Sequence, residues 1–108
     1  MDGRGQHWSE TAAGTDAGAT ATHAALSGHT HVVTSISGHT DGDTLIQILA
    51  GAAGATVVWE SKIDVSVEGF SFNFPGLNVM GTTSIAVAGK IDDATAADCQ
   101  VNISGYTI

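Results

Sequence analysis

Thr56-Val57-Val58-Trp59-Glu60-Ser61-Lys62-Ile63-Asp64-Val65-Ser66-Val67-Glu68-Gly69-Phe70-Ser71-Phe72-Asn73-Phe74 decides the fold class. Ile63, Val65 and Val67 alternate with Lys62, Asp64, Ser66 and Glu68, the period of two that a strand needs to bury one face and wet the other. Gly69 breaks the phase, and Phe70, Phe72 and Phe74 resume it on the opposite parity. A glycine at such a break predicts a bulge or a tight turn. Pro75-Gly76 then predicts a turn.

The same texture extends in both directions. Upstream, Thr44 to Leu49 carries Ile46 and Ile48 about Gln47, and Gly51-Ala52-Ala53-Gly54 reads as a turn. Val32 to Ile36 is a further strand, flanked by two copies of one phrase, Ser27-Gly28-His29-Thr30 and Ser37-Gly38-His39-Thr40. One strand plus one turn accounts for that spacing, so the repeat is local β-structure and not a solenoid. Downstream, Leu77 to Met80, Thr82 to Ala88 and Cys99 to Ile108 read as strands, with Lys90 to Asp98 as an acidic loop. The total is about six to eight strands at spacings of about 8 to 12 residues, the signature of an antiparallel sandwich, jelly roll or small barrel. Trp59 and the three phenylalanines are expected to supply much of the core, since each aromatic buries roughly 150–250 Å².

The first 31 residues have a different chemistry, being mostly Gly, Ala, Thr, Ser and His. Such a segment has little apolar bulk to set against its ordering entropy, so it is expected to be held by something outside the chain. The expectation is therefore an extended arm over 1–31 and a β-sandwich body over 32–108. Ser9 to Ala13 could open a short helical turn, which Gly14 and Gly18 would stop. Trp8 is the arm's one bulky aromatic. It reads as an anchor for a neighbour's pocket, tryptophan being enriched at interface hot spots, or as the centre of a cluster within its own chain.

Composition removes several classes of function. Eleven acidic residues against three basic ones give a net charge of −8. No Lys/Arg cluster is available to neutralise phosphates, so no nucleic-acid partner is expected, and an anionic membrane surface is disfavoured. No apolar run approaches the ~20 residues that span a bilayer. The N-terminus lacks the hydrophobic core of a secretory signal, so synthesis in a cytoplasm is expected. Cys99 is the single cysteine; in a β-like stretch it reads as a buried, inert thiol. There is no phosphate loop, dinucleotide fingerprint or Gly-x-Ser-x-Gly elbow. The chain is expected not to be an enzyme and to need no cofactor.

Two groups remain as candidate ligands. His29 and His31 form a His-x-His pair, and residues two apart on a strand share a face, so two imidazoles could chelate a metal. A third ligand would have to come from His23 or His39, or from a threefold axis. The competing reading is a hydrogen-bonding pair in a polar loop. Asp41-Gly42-Asp43 suits calcium chemistry in part, but an Asp/Gly turn explains it without an ion.

In layout, the small-residue arm, the acidic β-body and the final strand resemble a tailed-bacteriophage head decoration (cement) protein. The resemblance runs along the whole chain without a diagnostic motif. It implies a virion structural protein on the outer capsid surface, a homotrimer partnered by the major capsid protein. The arm through Thr30 would be a clamp bridging capsid subunits, with Trp8, Ala12, Thr15, Thr20 and Thr22 as its partner-binding residues. Strand addition to a foreign sheet is a physically reasonable mode for such an arm. Two alternatives stand beside it. Thr22-His23-Ala24-Ala25-Leu26-Ser27-Gly28 resembles phage fibre segments, and the His-x-His pair resembles metal sites on the axis of trimeric spikes. A carbohydrate-binding β-sandwich is the other, with Trp59, Tyr106 and the acidic loop as a sugar platform.

Overall fold

The computed structural model describes residues 6–15, 18–40, 44–51, 56–63, 70–93 and 98–108. Their strands are β1 (His7–Thr15), β2 (Ala19–His23), β3 (His31–Thr40), β4 (Thr44–Ala50), β5 (Thr56–Ile63), β6 (Phe70–Phe74), β7 (Val79–Met80), β8 (Val87–Asp93) and β9 (Asp98–Thr107). Among the described residues there is no helix. Two antiparallel sheets form, one in the order β1-β9-β3-β6 with β7 also on β3, the other in the order β2-β8-β4-β5. They pack as a β-sandwich, the fold class expected from the alternation.

β9 shows why these residues make strands. Cys99, Val101, Ile103, Gly105 and Thr107 are buried, while Gln100, Asn102, Ser104 and Tyr106 between them are partly exposed. The inward set meets Val33 and Ile36 of β3 and faces Ile46, Ile48, Val87 and Ile91 of the second sheet. β-branched side chains pack well on such a pleated surface. The sheets approach closely at Gly89 of β8. A Cβ there would collide with Cγ2 of Ile103 and lie 3.2 Å from Cδ1 of Ile36. The missing side chain makes room for two isoleucines of the opposite sheet.

The segment expected to be a separate arm supplies two strands of the sandwich. β1 pairs with β9 from His7↔Tyr106 to Thr15↔Asp98, and β2 pairs with β8 from Ala19↔Ile91 to His23↔Val87. β1 is an edge of one sheet and β2 an edge of the other, so the boundary after residue 31 cuts through both sheets. Composition misleads here because a strand needs backbone partners before it needs bulk. Alanines suit the inward positions at an edge, where Ala19 and Ala21 are buried and Ala12 packs against the core. The helical turn expected at Ser9 to Ala13 is strand for the same reason, since each of those residues sits opposite one of β9.

Other boundaries also moved. Lys90 to Asp93, expected in a loop, belong to β8. Thr82 to Ala86, expected in a strand, make a loop in which the Ile85 N–H donates to the Thr82 carbonyl at 3.1 Å. The two copies of the repeat diverge: Ser37 to Thr40 lie in β3, whereas the His29 N–H donates to the Leu26 carbonyl to close a turn. Phe72 is buried, and Trp59 of β5 meets Phe74 of β6 edge-on at 5.1 Å, joining the two sheets. The readings at Asp41-Gly42-Asp43, Ala52-Ala53-Gly54, Asp64 to Glu68 and Gly69 lie outside the described residues.

Candidate functional site

The two histidines read as a metal pair are separated by their environments. His31 opens β3 with 1% exposure, and its Nδ1 lies 2.6 Å from Thr107 Oγ1. Its Nε2 lies 2.8 Å from the Ala24 carbonyl, which only accepts. A neutral ring therefore donates from Nε2 and accepts the Thr107 hydroxyl proton at Nδ1, leaving no lone pair for a metal. His29 is exposed in the preceding turn. His31 instead meets His23, with ring centroids 4.5 Å apart, and the edge of Trp8 at 5.8 Å. Among the described residues no three His, Cys, Asp or Glu side chains gather to hold a metal ion.

The residues expected to bind a capsid partner are dispersed. Trp8 is half-buried and packs on its own chain, the second of its two sequence readings. Ala12 also packs against the core. Thr15 ends β1 opposite Asp98. Thr20 and Thr22 lie on β2, opposite Lys90 and Ala88, on the outer side of the second sheet. The sugar platform drawn from Trp59 and Tyr106 is not assembled either. Trp59 packs against the core with Phe74, while Tyr106 lies on the outer side of the other sheet.

That outer side has an organisation that only register reveals. Across β1, β9, β3 and β6 the outward residues align in rows perpendicular to the strands. The middle row is Thr11–Asn102–Ser37–Asn73. Ser9–Ser104–Ser35 flanks it on one side and Ala13–Gln100–His39–Ser71 on the other. His7 and Tyr106 end the face, their rings tilted at 6.1 Å. The Thr11 hydroxyl donates to Asn102 Oδ1 at 2.8 Å, fixing the orientation of that amide. None of these side chains is a carboxylate, ammonium or guanidinium. The second sheet differs: its outer side carries Lys90, Gln47 and Glu60 in one row, with Gln47 Nε2 donating to Glu60 Oε1 at 3.1 Å.

The third row opens into a groove of about 440 Å³ lined by Ala13, Gly14, His39, Asp98, Cys99 and Gln100. This is within the usual range for small-ligand sites. Asp98 places one carboxylate at its rim. Cys99 is buried to 2% exposure, as expected of an inert thiol, and its Sγ lies 3.7 Å from the Gly14 carbonyl. The groove therefore combines small apolar residues with the polar groups of His39, Gln100 and Asp98, and its one thiol is buried. Sequence reasoning missed this face. Its signal was present in the uncharged outward residues Gln100, Asn102, Ser104 and Tyr106 of β9, but strand order was needed to set them beside Thr11, Ser37 and Asn73.

No protein-family model and no curated protein matches the chain. Among solved structures it is similar to a family 6 carbohydrate-binding module from Clostridium stercorarium in complex with cellobiose, at 12% identity and a TM-score of 0.46, covering 98% of this chain and 83% of that one. A second family 6 carbohydrate-binding module gives 12% identity and a TM-score of 0.44, covering 84% and 68%. A Bacillus endospore appendage that forms disulfide-linked pili gives 18% identity and a TM-score of 0.33, covering 98% and 95%.

Proposed function

We propose that this chain is a carbohydrate-binding β-sandwich module whose ligand lies on the outer face of the β1-β9-β3-β6 sheet. One observation carries the reading: the register sets uncharged hydrogen-bonding side chains from four strands side by side on an open face. This occurs in a chain of net charge −8. Sugar hydroxyls each donate and accept. Amides, hydroxyls and imidazoles do likewise, and hold no fixed charge that would favour an ionic ligand. Tyr106 and His7 add ring surface at one end, where the apolar face of a sugar can stack. The groove beside His39 and Gln100 provides depth at the other side.

This reading is preferred to a capsid clamp because the backbone of residues 7–15 and 19–23 is already paired with β9 and β8. An arm that extends away from the body to complete a foreign sheet would have to give up that pairing. The test is a glycan array followed by affinity electrophoresis of the purified chain in polysaccharide gels. Retention by at least one polysaccharide, reduced in Asn102→Ala, is expected. Failure to bind any sugar on the array or in the gels overturns the reading.

A further inference from the structure

Resting on that reading, we infer that the ligand is a linear, uncharged, β-linked polysaccharide that crosses the strands at right angles, one sugar per strand. Thr11, Asn102, Ser37 and Asn73 occupy four adjacent strands. Neighbouring strands are about 4.8 Å apart, close to the length of one sugar ring in an extended chain. A β-1,4-linked chain of gluco-, xylo- or manno-units keeps that extended form and would present each successive ring to the next strand. An α-1,4-linked glucan coils and would leave the row after a ring or two. Rows on one face are two residues apart along the strand, about 6.7 Å, which matches the width of a sugar ring. A ring seated on the middle row therefore meets Ser104 or Gln100 with its two edges. Among the described residues the groove rim carries the Asp98 carboxylate, which, with the net charge of −8, disfavours uronic-acid polymers.

The experiment is titration calorimetry of the full chain with β-1,4-linked gluco-, xylo- and manno-oligosaccharides, from disaccharide to hexasaccharide. α-1,4-linked gluco-oligosaccharides and oligogalacturonates of the same lengths run beside them. Affinity is expected to climb with each sugar to the tetrasaccharide and then stay level. Asn73→Ala removes the last group of the row on an edge strand. It is expected to weaken the tetrasaccharide about tenfold, leave the trisaccharide unchanged and keep the melting temperature of the parent. A plateau at the disaccharide, equal affinity for the α-linked series, or tighter binding of oligogalacturonates overturns this inference and leaves carbohydrate binding standing. Absence of binding throughout, on the array as well as in the calorimeter, overturns both.

Discussion

The indole of Trp8 lies flat on the imidazole of His23, centroids 4.2 Å apart and planes 7° from parallel, although the two residues belong to edge strands of different sheets. Glu10 Oε2 holds His23 Nδ1 at 2.7 Å, and the His31 ring closes the cluster from β3. The stack is thus a staple between the sheets, built from the segment with the least apolar bulk.

Removing the staple should loosen the fold. Trp8→Ala is expected to cost about 3 kcal/mol, the lower end for a tryptophan because the ring is half-buried. Trp8→Phe keeps a stacking ring and discards an indole N–H that is buried without a partner among the described residues; it is expected to stay within about 1 kcal/mol of the parent. Urea unfolding of the isolated chain measures both. An unchanged midpoint for Trp8→Ala would mean that the ring serves an external partner instead.

Gly89→Ala separates crowding from propensity. Replacing a strand glycine by alanine ordinarily helps, because glycine gives up more freedom on folding. Here the new methyl group would displace Ile103, so a loss of about 1–3 kcal/mol is expected. Thermal melting decides the sign.

His31 and His29 should respond oppositely. His31→Phe leaves the Ala24 carbonyl and the Thr107 hydroxyl without their ring partner, at a cost of about 1–3 kcal/mol each when buried. His29→Ala, in an exposed turn, should change stability by less than about 0.5 kcal/mol. Added zinc or a chelator is expected to leave the melting temperature of the parent chain where it was. A rise with zinc would restore the histidine pair as a metal site.

The two outer faces provide a paired test. Asn102→Ala is expected to weaken glycan binding about tenfold, whereas Thr22→Ala, on the outer side of the second sheet, should leave it unchanged. Equal losses in affinity electrophoresis would remove the assignment of the ligand to one face.

Alternation made the β-class and most strands legible. Ile46 and Ile48, Val101 and Ile103, and the phenylalanines Phe72 and Phe74 lie in strands where their spacing placed them. Residues 7–15 and 19–23 were not legible, because their pairing with β9 and β8 is a long-range backbone interaction that side-chain bulk does not announce. The face was half-legible for a related reason. A single strand displays its own polar positions, but the row Thr11–Asn102–Ser37–Asn73 exists only once strand order and register are known. Trp59 and Tyr106 were candidates for one platform by residue type, and the topology puts them on different sheets.

The place of β9 has a kinetic consequence. It follows every other described strand, yet it sits between β1 and β3 and not at an edge. Until it is synthesised and inserted, β1 has no sheet to join and β3 shows an open hydrogen-bonding edge, a surface prone to pairing with other chains. Closing the sheet joins the two most distant parts of the described sequence, the kind of contact that slows folding most. Nascent chains that stall before Asp98 should therefore be the aggregation-prone species, and folding should be late and cooperative, governed by the arrival of one strand.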